Sequence, residues 1–255
     1  MKFSKNTLRL LGLSLLGLTS HYTFATDYPE AIQHWQKEGV SIVSQFDAPN
    51  GMQGYTGMYE GVGITLYLLP DKQHVLWGEL YDKEGKDLSA VALEKAIYAP
   101  MAAKLWERME SSQWIQDGDK NAKQIIYVFM DPNCPYCNEF WQAARPFVDS
   151  GKVQLRHIMV GILADDSSAK AAAILTAKSP AEMLKNYEAS REKTVLDIPE
   201  KIDAKTLSTL ESHLQIMDAL GASATPAIYY LNKEGRLQQQ LGMPDEKQMK
   251  VIMGE

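Results

Sequence analysis

The 255-residue chain contains only two cysteines, Cys134 and Cys137, and they lie two residues apart in FMDPNCPYCNEFWQAARP. A disulfide between them would close so short a loop that it would constrain the unfolded chain very little. A pair held at that spacing is kept for its reactivity. Upstream, Gln124–Met130 (QIIYVFM) is a continuous apolar, β-branched and aromatic run, which predicts a strand covered on both faces. Downstream, Glu139–Val148 is helical in period, with Phe140, Trp141, Ala144 and Val148 on one face. Cys134 therefore stands at the mouth of a helix, where unpaired N–H groups and a partial positive charge stabilise a thiolate. The thiolate is the attacking species in thiol–disulfide exchange. These residues assign Cys134 as nucleophile and Cys137, one helical turn on, as resolving thiol. Pro135 suits the first helical position, where its missing N–H would have no partner anyway. Strand, CxxC and helix in that order form the context of a redox motif.

Other uses of two cysteines fit less well. A zinc half-site needs two more ligands. No cysteine remains, and His34, His74, His157 and His213 are scattered without ligand spacing. Haem attachment needs a histidine directly after the second cysteine, where Asn138 stands. An iron–sulfur cluster lacks ligands. An inert structural disulfide is the plainest alternative, and the short loop argues against it. The motif therefore calls for no metal and no cofactor. Glu139 is near enough in sequence to act on the pair electrostatically, although a solvated helix face is the simpler reading. The tryptophans and methionines read mostly as core.

A second element is Ala224-Thr225-Pro226-Ala227-Ile228. Local sequence alone favours an ordinary trans proline at a strand start. Placed after a CxxC motif in this element order, the Thr225–Pro226 bond is expected to be cis.

The elements around these residues fall into two groups. Tyr28–Lys37 reads as a short amphipathic helix, with Ile32, Trp35 and Ala31 inward and Gly39 as its stop. Val40–Phe46 alternates as a half-buried strand, Asp47–Gly51 is a turn cluster, and Gly63–Leu69 with His74–Tyr81 reads as a hairpin. So small a unit is marginal alone, and an open sheet edge invites pairing with a second chain. Residues 26–87 are thus expected to be a dimerisation module. Leu88–Ile115 is helical in period and connects the two groups; Pro100 either interrupts it or opens its second half. Gly118 marks the boundary. Beyond it come the motif, a buried strand at Val153–Ile162, a helical stretch over Ser167–Leu220, strands at Ala227–Leu231 and Leu237–Leu241, and a last helix at Pro244–Met253. That order fits an α/β sandwich with a partly antiparallel sheet.

Lys2, Lys5 and Arg9, the apolar Leu10–Leu18 and Thr23-Phe24-Ala25 read as a secretory signal peptide over residues 1–25, cut after Ala25. Its loss would take the formal charge from −6 to −6 − 3 = −9. An acidic chain without a basic footprint excludes nucleic acid as the natural partner.

FDAPNGMQGY, EKAIYAP, LWERMESSQW, DPNCPYCNEFWQAARPFVDSGKVQLR, ATPAIYY and the terminal VIMGE together resemble the DsbC/DsbG family of periplasmic thiol:disulfide interchange proteins, over nearly the whole mature chain. CPYC in place of CGYC favours the DsbG branch. The resemblance implies an α+β fold: a small cystatin-like amino-terminal domain (26–87), a helical linker (88–117) and a thioredoxin-like α/β domain (118–255) with a helical insertion at about 164–220. It implies a V-shaped homodimer whose cysteines are kept reduced by the membrane reductase DsbD. Cys134 and Cys137 carry over as the redox pair, with Pro135 and Tyr136 between them. Thr225 and Pro226 carry over as the facing loop whose backbone binds substrate.

The expected function is a periplasmic disulfide isomerase or reductase acting on exported proteins with cysteines or incorrect disulfides. The same nucleophile has the chemistry to reduce a sulfenylated single cysteine. Two other readings stay open: a holdase that binds unfolded exported chains in the dimer cleft, and a net thiol oxidase. A histidine at position 136 would help stabilise the thiolate. Tyr136 brings no positive charge, so the pair is expected to be less oxidising than a DsbA-like oxidase.

Overall fold

The computed structural model describes residues 28–191 and 193–255. The signal peptide expected at 1–25 lies outside the described residues. The fold is α+β, built on two sheets joined by a helical segment.

The first sheet is antiparallel, in the order β1 (Ser41–Asp47), β2 (Gln53–Tyr59), β3 (Val62–Leu68), β4 (Val75–Trp77). Helix α1 (Glu30–Lys37) lies on it and buries Ile32 against Val40, Tyr55, Leu66 and Leu68. The chain turns out of α1 through Gly39, at φ +101°. Strand β2 carries no apolar alternation, and sequence periodicity leaves it unassigned. Its glycines explain why. A Cβ on Gly54 would lie 2.4 Å from the Phe46 ring, and one on Gly57 would lie 3.0 Å from the Ser41 carbonyl oxygen. The neighbouring strand's groups fill the space where side chains would otherwise signal a strand. The hairpin arm expected over His74–Tyr81 is shorter, pairing only at Val75–Trp77.

Helix α2 (Leu88–Leu93) is capped by Asp87, whose carboxylate accepts the Ala90 N–H at 2.9 Å. It continues through a π-helical segment, Glu94–Tyr98, into α3 (Ala99–Ser111). Pro100 sits at the start of α3. The wider π turn just before it relieves the clash between the proline ring and the preceding turn's carbonyl. The expected helix to Ile115 stops four residues early. Ser112 turns extended (ψ 167°), and Ile115–Asp117 forms β5, which pairs antiparallel with β7 (Val153–Met159) and buries Ile115. Pairing with a free sheet edge satisfies more backbone groups than one further helical turn would.

The second sheet has the order β5-β7-β6-β8-β9, with β6 (Gln124–Met130) in the centre, β7 (Val153–Met159), β8 (Ala227–Leu231) and β9 (Leu237–Leu241). β6 and β7 run parallel and the other pairs antiparallel. Ile126, Val128 and Met130 pack on one face with α4 (Pro135–Asp149), α5 (Ser167–Leu175), α6 (Pro180–Ala189) and α8 (Glu246–Ile252). Tyr127 and Phe129 pack on the other face with Met109 of α3 and Ile216 and Met217 of α7 (Ala204–Ala219).

A polar cluster ties β5 to α4. Arg145 donates through both terminal guanidinium nitrogens to Asp117, the Trp141 indole N–H donates to the same carboxylate at 2.9 Å, and a ring nitrogen of the buried His157 lies 3.2 Å from it. Burial works to raise the Asp117 pKa, but the hydrogen bonds from His157 and Arg145 outweigh it and hold this carboxyl well below the usual range. The helix that carries the motif is thereby fixed to the sheet edge. Among the described residues no helix is long and apolar enough to cross a membrane.

Candidate active site

Strand β6 delivers the chain to the motif. Met130 is its last residue, and Asp131, Pro132 and Asn133 turn the chain into α4. Cys134 is the N-cap, in extended conformation (φ −92°, ψ 107°), and Pro135 follows at the first helical position. The Cys134 Sγ accepts the Cys137 N–H at 3.3 Å, as a capping side chain does. In its protonated form the Cys134 thiol also donates to the Thr225 carbonyl oxygen at 3.3 Å, across 91 residues of chain. The Thr225–Pro226 bond is cis, as expected. Both cysteines are free thiols and both are buried, at 2% and 1% exposure. Pro135 and Tyr136 stand exposed at the rim, Tyr136 at 57%.

The two thiols are electrostatically unlike. Hydrogen bonding from Cys137 is the main reason the Cys134 pKa falls to about 6; burial opposes it, and Thr225 and the N–H groups of Cys137 and Tyr136 assist. Cys137 is driven the opposite way, first by its burial and then by the neighbouring Cys134 sulfur. At neutral pH one sulfur is ionised and the other holds its proton. A thiolate beside a protonated thiol is the arrangement that dithiol exchange requires.

Four groups around the motif were not singled out from sequence. Asp131 is 1% exposed, and its carboxylate accepts from the Asn133 N–H (2.8 Å), the Ser167 hydroxyl (2.8 Å) and the N–H groups of Ile162 (2.6 Å) and Leu163 (3.0 Å). The Asn133 amide donates to Asp166 and Ser167 and accepts from Lys170. The Asn138 amide donates to the carbonyl and the carboxylate of Glu188, both at 2.7 Å. Tyr187 donates its buried hydroxyl to the Pro132 carbonyl at 3.0 Å. Of the four only Asp131 carries a sequence signal, a polar residue directly after an apolar strand, and a turn reading absorbs it. Glu139 is exposed on the helix face and forms no ion pair among the described residues.

A dithiol at a helix mouth, facing a cis-proline loop on a central β-sheet, defines a thioredoxin-fold protein, and residues 114–254 match the family described as a thioredoxin-like domain. The catalytic domain of Proteus mirabilis ScsC superposes with a TM-score of 0.51 at 22% identity, covering 61% of this chain and 96% of that one. A periplasmic thioredoxin-like protein from Salmonella enterica serovar Typhimurium gives 0.50 at 19% identity, over 59% and 94%. These two likenesses establish the fold. The chain belongs to the DsbG family of thiol:disulfide interchange proteins. It is 48% identical to the Escherichia coli (strain K12) DsbG over 94% of this chain and 97% of that protein. It is likewise 48% identical to the Pseudomonas aeruginosa DsbG over 100% and 99%. At 26% identity, over 89% and 90% of the two chains, it also matches the DsbC of Pasteurella multocida.

Proposed function

We propose that this protein is a periplasmic thiol–disulfide oxidoreductase that repairs or reduces disulfides in exported proteins. The observation that carries this reading is the asymmetry of the pair: Cys134 with its pKa at about 6, beside Cys137, whose pKa is raised. The Cys134 thiolate attacks one sulfur of a substrate disulfide. The substrate S–S bond breaks, the other substrate sulfur leaves as thiolate, and a mixed disulfide forms. Two exits follow. A different substrate thiol can attack the substrate sulfur of the mixed disulfide, releasing Cys134 with no net electron transfer: isomerisation. Alternatively Cys137 attacks the Cys134 sulfur, releasing a reduced substrate and leaving a Cys134–Cys137 disulfide. That route consumes two electrons, which a membrane reductase of the DsbD kind must return. A sulfenic acid enters the same cycle, since attack by Cys134 expels hydroxide and gives the same mixed disulfide.

Pro135, Tyr136, Thr225 and Pro226 form the surface that meets the substrate chain. We also assign the first sheet to homodimer formation. Val62, Leu76 and Trp77 expose 61%, 55% and 40% of their surface there, and Val43 on the edge strand β1 exposes 46%. Export through a cleaved signal peptide rests on the basic and apolar pattern of residues 1–25.

The test is a Cys137→Ser variant expressed in the periplasm. It should accumulate mixed disulfides through Cys134 with exported proteins, visible on non-reducing gels and removed by reductant. A variant that traps nothing, while a Cys134→Ser, Cys137→Ser control behaves identically, defeats the reading.

A further inference from the structure

The residue before the nucleophile is held by more than its turn. Asn133 donates its backbone N–H to the Asp131 carboxylate at 2.8 Å, and the next amide, that of Cys134, donates to the Asp131 carbonyl at 3.0 Å. The Asn133 side chain leaves the turn and reaches the start of α5. Its amide donates to the Asp166 carboxylate at 2.8 Å and to the Ser167 hydroxyl at 2.9 Å, and its oxygen accepts from the Lys170 ammonium. Both N–H groups and the oxygen of this side chain are thus engaged. Lys170 pairs in turn with the other oxygen of Asp166 at 3.0 Å. Asn133, Asp166 and Lys170 close a ring.

Every contact in that ring has at least one ionised partner, which is the stronger kind of hydrogen bond. The Lys170 side chain keeps only 23% of its surface in solvent, so water competes little for it. Lys170 first and Asn133 second hold the Asp166 carboxyl below its usual range. What the ring fixes is the path by which the chain enters Cys134. The Cys134 sulfur meets the Cys137 N–H because Cys134 is extended (φ −92°, ψ 107°) while the helix begins at the next residue. Helix α4 sets the chain after Cys134; the turn and the ring set the chain before it. A change in the Cys134 backbone angles would swing the sulfur off the helix mouth. The Lys170 charge itself is paired with Asp166.

We propose that Lys170 and Asn133 are positioning residues for thiol–disulfide exchange: with Asp166 they anchor the turn before Cys134 to α5 and so hold the nucleophile at the helix mouth. They act through geometry, not through the field of the ammonium. The helical segment beyond β7 thereby takes part in setting the reactivity of the dithiol. This rests on the thiol–disulfide reading above and adds two residues to it.

The test uses the full-length reduced protein. The pH dependence of iodoacetamide alkylation reads the Cys134 thiolate, and hydroxyethyl disulfide reports exchange. The wild-type midpoint should lie at about 6. Lys170→Met and Asn133→Ala should each raise it by about half a unit, the worth of one weakened hydrogen bond to the sulfur. At about pH 5 the ionised fraction then falls about threefold; the more basic thiolate recovers part of this, so exchange should slow about twofold. At about pH 9 neither variant should be slower than the wild type. The double variant should shift no further than either single one, because both open the same ring. Lys170→Arg, which keeps charge and donors, should restore part of the shift. Either single variant with an unmoved midpoint overturns the proposal, even if the other fails to fold. An unmoved midpoint in Asn133→Ala alone would leave the ammonium acting by its charge; unmoved midpoints with lower melting temperatures would make the ring structural only. A wild type inert toward hydroxyethyl disulfide would instead bring down the underlying redox reading.

Discussion

The sheet around β6 is covered on both faces, by α4, α5, α6 and α8 on one side and by α3 and α7 on the other. The sheet β1–β4 has α1 on one face and touches the start of α2 through Tyr67, whose hydroxyl lies 2.6 Å from the Ser89 hydroxyl. Val62 and Leu76 remain more than half in solvent, and Trp77, packed edge-on against Trp35 and Tyr59, keeps 40% of its surface there. The first region is complete as a hydrophobic structure and the second is not. The chemistry stands where the frame is closed, because tuning a thiol by hydrogen bonds at 3.3 Å needs partners that do not move. The open region has apolar surface to spare, which suits assembly.

The comparison breaks most readily at the level of activity. Cys134→Ser should drop insulin reduction to the uncatalysed background, whereas Trp77→Ser should change the mass measured by light scattering and leave the rate per dithiol in place. A Trp77→Ser protein that loses its dithiol activity would mean the two regions are not separable. Stability gives the next largest effect. Phe129→Ala, at a fully buried position, should cost about 3–5 kcal/mol. Ile32→Ala should cost about 2–5 kcal/mol but act on the first sheet alone. Calorimetry should therefore show the Ile32→Ala loss in a separate early transition; one shared transition would join the two regions.

The pH dependence is comparable or smaller. The folded-state pKa of Cys134 is depressed from 9.0 to about 6. Its contribution to the stability of the reduced protein is therefore present in full above about pH 9 and is lost as the pH falls through about 6. The shift sets an upper bound of about 4 kcal/mol. The melting-temperature advantage of reduced wild type over Cys134→Ser should shrink from pH 9 to pH 5.5, and an advantage that grows would reverse the assignment. The smallest effect belongs to Tyr136→His, which should raise the reduction potential by tens of millivolts, read in a glutathione titration.

Much of the second region is legible in sequence, because its signals are local and strong. QIIYVFM can only be buried, CPYC carries its own proline and helix start, and Thr225–Pro226 takes its meaning from the motif before it. What sequence hides depends on partners far along the chain. β2 is invisible because Gly54 and Gly57 leave space for Phe46 and Ser41 instead of filling it. β5 is three residues long and exists because β7 offers an edge. Asp131 looks like the first residue of a turn, and its donors on Ile162, Leu163 and Ser167 lie 31 to 36 residues away.

The π-helical segment Glu94–Tyr98 has a geometric consequence for the joint between the two regions. An α-helix turns its side chains through about 100° per residue, so the extra residue in a π turn advances the angular phase of one half relative to the other by about that amount. The half before it meets β3, where Leu93 and Tyr98 crowd Gly63. The half after it points Trp106 and Met109 into the core under β6. One continuous rod thus keeps two apolar stripes that a uniform helix would set out of step, much as a key with two bits fits two locks. Removing a single residue between 94 and 98 would leave either stripe intact but aim them about 100° apart from their present targets.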